Sequence, residues 1–186
     1  MQNKGIVTAA MVKENNLSPG ALKYLCDNGK LEKTTRGVYM LPTAWDDEFI
    51  NLQARFKKGV FSHETSLFLH GLTDRTPIKF HMTFPTSYNL TRVKAFNVQC
   101  HQNKLEIYST GIVDTTTPNG NLIKAYSPEK TLCDILVKKS STDIQLISTA
   151  FKMYKDSKEK NIPLLSEYAK MLKVERKVRT YLEVLL

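Results

Sequence analysis

Eight residues between positions 18 and 36 bring together positive charge, hydroxyl groups and a small side chain. Cations and hydroxyls are the groups with which proteins contact the phosphates and base edges of nucleic acids. The eight residues are Ser18, Gly20, Lys23, Tyr24, Lys33, Thr34, Thr35 and Arg36. We predict that these residues bind double-stranded DNA. This requires one element that presents the four residues from Ser18 to Tyr24 and another that presents the four from Lys33 to Arg36 to the same duplex.

Two short helices are predicted around the first group. Thr8 and Ser18 are candidate N-caps, and Pro19 suits the first turn of the second helix. The apolar stripe of that second helix consists of Ala21, Leu22, Leu25 and Cys26. The opposite face, near the helix N-terminus, is therefore expected to expose Lys23 and Tyr24.

The stretch "KLEKTTRGVYMLP", residues 30–42, predicts a β-hairpin that turns at Arg36-Gly37. Two helices joined by a tight turn and followed by a two-stranded wing are typical of a winged helix-turn-helix. The second helix would lie in the major groove, and the wing would reach the backbone or the minor groove. The same scaffold also serves as a protein-interaction module. We favour DNA because cations and hydroxyls occupy both places at which a winged helix touches the duplex.

The overall charge agrees with an anionic partner. The 186 residues carry a net charge of +9 with a pI near 9.4. The excess is +3 in each of residues 1–42, 43–142 and 143–186, so its density is highest in the first and shortest segment. No apolar run is long enough to span a bilayer, and the start of the chain lacks the apolar centre of a signal peptide. We expect a cytoplasmic protein without a membrane partner.

The chain beyond Pro42 predicts a second domain, residues 43–186, of mixed α/β structure. "SHETSLFLHGL" and "SPEKTLCDILVKK" read as capped helices, "KFHMTFP" and "LEIYSTGIV" alternate like strands, and "PNGN" is a turn signal. From about residue 141 the pattern is helical to the end. The predicted fold class is α+β, with an N-terminal winged helix-turn-helix at residues 1–42 followed by this domain.

Enzymatic and metal-binding alternatives are weaker. His63 and His70 are seven residues apart on one predicted helix and His81 follows on a strand, but their spacing supplies no fourth ligand. Glu129 and Asp134 lie about 140° apart around a helix, so they do not face each other as an acid–base pair would. The three cysteines are far apart and form no C-x-x-C motif. We expect no catalytic residue, no cofactor and no metal ligand.

Three stretches resemble the AbiE-type abortive-infection antitoxins, which are transcriptional regulators of bacterial type IV toxin–antitoxin pairs. They are "LSPGALKYLCDNGKLEKTTRGVYMLP" at 17–42, "FSHETSLFLHGLTDRTP" at 61–77 and "SPEKTLCDIL" at 127–136. The resemblance implies an N-terminal winged helix that binds inverted repeats in the promoter of its own operon. It also implies a C-terminal domain that relieves the toxicity of a nucleotidyltransferase-like toxin encoded alongside, without a stable complex between the two proteins. The alternative is a free-standing winged-helix regulator with a ligand-sensing C-terminal domain.

Overall fold

The computed structural model describes residues 5–137 and 142–185. The strands of this part are β1 (Ile6–Thr8), β2 (Glu32–Thr35), β3 (Val38–Met40), β4 (Val60–Phe61), β5 (Phe80–Pro85), β6 (Val98–Asn103), β7 (Ile112–Thr116) and β8 (Leu122–Tyr126). The helices are α1 (Ala9–Glu14), α2 (Pro19–Asp27), α3 (Glu48–Arg55), α4 (His63–Leu69), α5 (Leu105–Ser109), α6 (Pro128–Asp134), α7 (Ile144–Asp156), α8 (Ile162–Leu172) and α9 (Glu175–Leu185). The predicted α+β class is confirmed. None of the helices in the described ranges is both long and apolar enough to cross a bilayer.

The chain forms two compact units. The first contains residues 1–58 and 114–123, and the second contains residues 59–113 and 124–186. This division differs from the boundary predicted after Pro42, because α3 belongs with the residues before it. Thr34 Oγ1 lies 3.3 Å from Asn51 Oδ1 and the Arg55 guanidinium donates to Thr35 Oγ1, so side chains of α3 hold the β2 strand.

The first unit joins α1 and α2 to a three-stranded sheet of order β1-β3-β2. Thr8 Oγ1 accepts a hydrogen bond from the amide of Met11, which confirms it as the N-cap of α1. The β2–β3 hairpin turns where predicted, with Gly37 at a φ of +82°. The prediction missed β1, which pairs with β3 and makes a third strand. Three residues before a helix are too few to show an alternating pattern.

Buried Asp47 fixes the start of α3 within the first unit. Its Oδ1 accepts from the amide of Phe49 at 3.1 Å, which is an N-cap bond. Its Oδ2 accepts from Thr117 Oγ1 at 2.6 Å and from Asn121 Nδ2 at 2.8 Å. These two bonds connect the segment 117–121, which contains the predicted "PNGN" turn, to the start of α3. The segment accordingly belongs to the first unit.

The second unit contains most of a five-stranded sheet of order β6-β5-β4-β8-β7. Strand β4 is antiparallel to β5 and parallel to β8, and β5 is parallel to β6. The apolar core outside the sheet comes from α4 and α6 to α9. One strand prediction was wrong: residues 105–109 of "LEIYSTGIV" form α5, and only its end enters β7. Ser109 and Thr110 donate to carbonyls of the preceding turn, so local bonds favour the helix there.

Helices α4 and α6 join two of the stretches that carried the family resemblance. Ser66 Oγ donates to the carbonyl of Tyr126 at 2.9 Å and lies 2.8 Å from Thr131 Oγ1. On α6, Ser127 Oγ caps the helix by accepting from the amide of Lys130. The side-chain oxygens of both stretches therefore satisfy buried groups of the fold.

Three charged side chains, Glu129, Lys130 and Asp134, are buried along α6. Lys130 is 0 % exposed, and its Nζ lies 2.6 Å and 2.8 Å from the two carboxylate oxygens of Asp134, one helical turn later. The ammonium group also lies 4.5 Å from the centre of the Tyr126 ring. Burial raises the pKa of Asp134, and the adjacent Lys130 opposes that shift. Glu129, also buried, accepts a hydrogen bond from the Tyr154 hydroxyl at 2.9 Å.

Candidate nucleic-acid interface

Helix α2 exposes the face that the sequence predicted. Leu22 is buried in the small core with Val12 and Leu31, and Leu25 and Cys26 pack against that core. The opposite face holds Gly20, Lys23 and Tyr24, all exposed, and the Tyr24 side chain is 64 % exposed. A large aromatic side chain this exposed beside a cation is suited to contacts with bases and phosphates.

Ser18 has a local role at the start of α2. Its Oγ accepts a hydrogen bond from the amide of Gly20 at 3.3 Å, and the residue is exposed. The hydroxyl therefore organises the first turn of the helix that carries Lys23 and Tyr24. Its proton is still available for a phosphate oxygen, because the cap uses the oxygen as the acceptor.

The β2–β3 hairpin presents two cations. Lys33 and Arg36 are exposed, and within the described ranges neither makes an ion pair. The neighbouring hydroxyls are engaged elsewhere, since Thr34 bonds Asn51 and Thr35 accepts from Arg55. Of the predicted hairpin residues, the two charged ones are thus available to an anion. Both threonines bind α3, but Thr34 donates its hydroxyl proton to Asn51, whereas Thr35 only accepts from Arg55 and keeps its proton.

A second group of polar side chains lies in the other unit, where three histidines meet. His63 begins α4, His81 lies on β5 and His101 lies on β6. The rings of His63 and His101 stack with centroids 3.6 Å apart and planes at 9°. His81 Nδ1 lies 3.2 Å from His101 Nε2. We call these three residues the histidine cluster.

Within the histidine cluster, His63 is buried and His81 and His101 are half-buried. Burial lowers the pKa of His101 to about 4, and burial with the neighbouring His101 and Lys79 lowers the pKa of His81 to about 4. Burial, followed by the charges of the other two histidines and Lys130, lowers the pKa of His63 well below its usual value. All three rings are therefore neutral at pH 7, with a nitrogen lone pair on each.

The histidine cluster differs from the set that sequence spacing suggested. Sequence spacing groups His70 with His63 and His81, but His70 Nε2 lies 2.7 Å from the carbonyl of Tyr126. His101 takes its place in the cluster, and the sequence does not indicate this because "VQCHQN" has no clear alternation. Only the pairing of β5 with β6 brings His101 close to His81, because Thr83 is the partner of His101 and His81 is the partner of Gln99. Residues two apart on paired strands share one face of the sheet.

Comparison with known proteins supports the resemblance at the N-terminus. Residues 1–42 match a family model described as transcriptional regulator, AbiEi antitoxin. This match supports a role as an antitoxin-type transcriptional regulator, and the description is not that of an enzyme family. No curated protein matches the chain significantly.

The fold is similar to that of a solved structure. The chain is similar to the RV2827C protein from Mycobacterium tuberculosis, with a TM-score of 0.51 and 15 % identity over 88 % of this chain. The match covers 66 % of that protein, so this chain spans just under two thirds of its length. At this identity the similarity shows the fold alone.

Proposed function

We propose that this protein is a DNA-binding autorepressor and antitoxin of a bacterial type IV toxin–antitoxin system active in abortive phage infection. The observation that carries the proposal is that Lys23, Lys33 and Arg36, within the segment that matches the AbiEi regulator model, are exposed and make no ion pair with any residue that the structure describes. The operator would consist of inverted repeats in the promoter of its own operon. The functional partner would be a nucleotidyltransferase-like toxin encoded beside it, without a stable complex.

Helix α2 is the element proposed to read the major groove. Its exposed surface carries Lys23 and Tyr24, which are adjacent in sequence, while Leu22 anchors the helix to the core. Arg36, at the tip of the β2–β3 hairpin, would contact the backbone or the minor groove of the same duplex, with Lys33 beside it. Phosphate contacts fix the register on the duplex, and groove contacts supply the sequence preference.

Salt dependence of binding tests this assignment. Lys23→Ala and Arg36→Ala are each expected to weaken binding to a duplex from the promoter of the protein's own operon. For each variant, the plot of the logarithm of the association constant against the logarithm of the salt concentration is expected to become shallower. The slope should change by about 0.9, the value for one lost phosphate contact. Tyr24→Ala is expected to weaken binding with an unchanged slope, because it removes no charge. Fluorescence anisotropy over a salt series measures both quantities.

The matched control for this experiment is Lys158→Ala. Lys158 is exposed in the second unit, so its replacement changes the net charge equally but removes no proposed contact. Equal slopes for the wild type, Lys23→Ala and Arg36→Ala would place the interface elsewhere.

The second candidate function is a winged-helix regulator whose other unit senses a ligand. The histidine cluster favours it, because three neutral imidazoles that meet at one place in the second unit can offer ring nitrogens to a ligand. A gene for a nucleotidyltransferase beside this one favours the antitoxin, and a neighbourhood without such a gene favours the sensor.

A further inference from the structure

The histidine cluster brings nitrogen atoms from three separate elements to one place. One ring nitrogen from each of His63, His81 and His101 lies within 4.8 Å of the other two. His63 begins α4 and is separated from β4 by Ser62, which donates its amide to the carbonyl of His81 at 3.0 Å. Backbone pairing therefore places His63, just beyond β4, beside His81 on β5 and His101 on β6.

We propose that His63, His81 and His101 bind one divalent transition-metal ion, with Zn²⁺ as the preferred cation. Neutral imidazole is a ligand that suits Zn²⁺, Cu²⁺, Fe²⁺ and Ni²⁺, whereas Mg²⁺ and Ca²⁺ require oxygen ligands. Three histidines with a fourth position open to water are a known ligand set of zinc sites. The site goes beyond the proposed DNA-binding and antitoxin function and does not depend on it.

The distance between His81 and His101 fits shared coordination. Two nitrogens that bind one tetrahedral zinc at about 2.0–2.1 Å are about 3.3 Å apart. His81 Nδ1 and His101 Nε2 are 3.2 Å apart and share a hydrogen bond, so the donor ring must move its proton to its other nitrogen before both nitrogens can bind one ion. The two strands thus present two corners of the coordination tetrahedron without rearrangement of the backbone.

His63 supplies the third corner after a rotation of its ring. Its Nδ1 lies 3.1 Å from Ser62 Oγ, which leaves Nε2 for the metal. Ser62 Oγ itself accepts from Thr83 Oγ1 at 2.9 Å, so the partner of the ring is fixed. An imidazole binds a metal in its own plane, so the His63–His101 stack must open when both rings share one ion. This change in stacking is a consequence that spectroscopy can detect.

Glu64 is placed to orient one ligand. Its Oε2 lies 3.9 Å from His81 Nε2, the nitrogen that faces away from His101. A carboxylate next to the second ring nitrogen of a ligating histidine fixes the tautomer and raises the basicity of the ligating nitrogen. Glu64 is accordingly a positioning residue, and Glu64→Gln is expected to weaken metal affinity about 10-fold.

Titration of the full-length protein with Co²⁺ and Zn²⁺, after removal of metals with EDTA, tests the site. One Co²⁺ per chain is expected, with visible absorption typical of a tetrahedral nitrogen and oxygen site, and Zn²⁺ is expected to displace it. His81→Gln and His101→Gln are each expected to lose about 100-fold or more in affinity. His70→Gln is the matched control and is expected to bind the metal as the wild type does, because His70 is the one histidine of the chain that lies outside the cluster.

The site is also testable without substitution. Long-range ¹H–¹⁵N spectra of the wild type are expected to show metal-dependent ring shifts for three of the four histidines, including His63. Absence of stoichiometric binding would overturn the proposal, and so would equal binding by folded His101→Gln. A thiolate charge-transfer band in the Co²⁺ form would also overturn it, because it would assign the ion to a cysteine.

Discussion

Lys130→Met is expected to lower the free energy of unfolding by about 3–5 kcal/mol. In the wild type, Lys130 Nζ lies 2.6 Å and 2.8 Å from the two carboxylate oxygens of Asp134. The substitution therefore leaves this carboxylate buried without its partner. The aliphatic part of the lysine is kept by methionine, so the loss comes from the charge and not from a cavity. Urea unfolding followed by far-UV circular dichroism measures the difference.

Two further variants separate the buried charge from other effects. Lys152→Met removes an exposed lysine of α7 and is expected to change stability by less than about 0.5 kcal/mol. The double variant Lys130→Met/Asp134→Leu is expected to recover most of the loss, because no unpaired charge remains. If the free energy of unfolding of Lys130→Met lies within about 1 kcal/mol of the wild-type value, the Lys130–Asp134 pair is not essential to the stability of this core.

The second expected effect is on survival in the presence of the toxin. With the proposed partner toxin expressed from an unrelated promoter, the full-length Lys23→Ala/Arg36→Ala variant is expected to protect cells as well as the wild type does. Both substitutions lie in the first unit, whereas the stretches 61–77 and 127–136 of the antitoxin-like sequence lie in the second. Colony counts with and without induction of the toxin measure protection over several orders of magnitude.

Repression as the antidote makes the opposite prediction. If silencing the operon is the whole effect, neither the wild type nor the variant protects when the toxin gene has a foreign promoter. Loss of protection by the variant alone, at wild-type protein levels on an immunoblot, would show that DNA binding is required. Lys152→Ala/Lys158→Ala, which removes two exposed lysines of the second unit, is the control for the loss of two surface charges at the same expression level.

The first unit was largely predictable because its signals are local. Thr8 and Ser18 precede their helices and cap them, and Gly37 occurs where the hairpin needs a positive φ. Each of these preferences acts over a few residues, so sequence spacing reveals it. The exposed positions of Lys23 and Tyr24 follow from the apolar stripe on the other face of the same helix.

The second unit was less predictable because its order comes from long-range pairing. Strand β6 carries His101 without clear alternation, and its place beside β5 is defined only by the parallel register of the two strands. The residues 105–109 alternate yet form a helix, because hydrogen bonds to nearby carbonyls decide such a short segment. The sequence does not indicate the burial of Lys130 either, because Lys130 and its partner Asp134 look like ordinary solvent-exposed charges of an amphipathic helix.

The most direct test of the proposed regulator is a hydroxyl-radical footprint on the promoter of its own operon. The account predicts that the wild-type protein protects both arms of an inverted repeat at concentrations that leave unrelated DNA unprotected. It also predicts that Lys23→Ala/Arg36→Ala abolishes this protection at the same concentration. Uniform protection of all DNA, or identical footprints for the wild type and the double variant, would contradict the assignment of α2 and the β2–β3 hairpin as the DNA-reading elements.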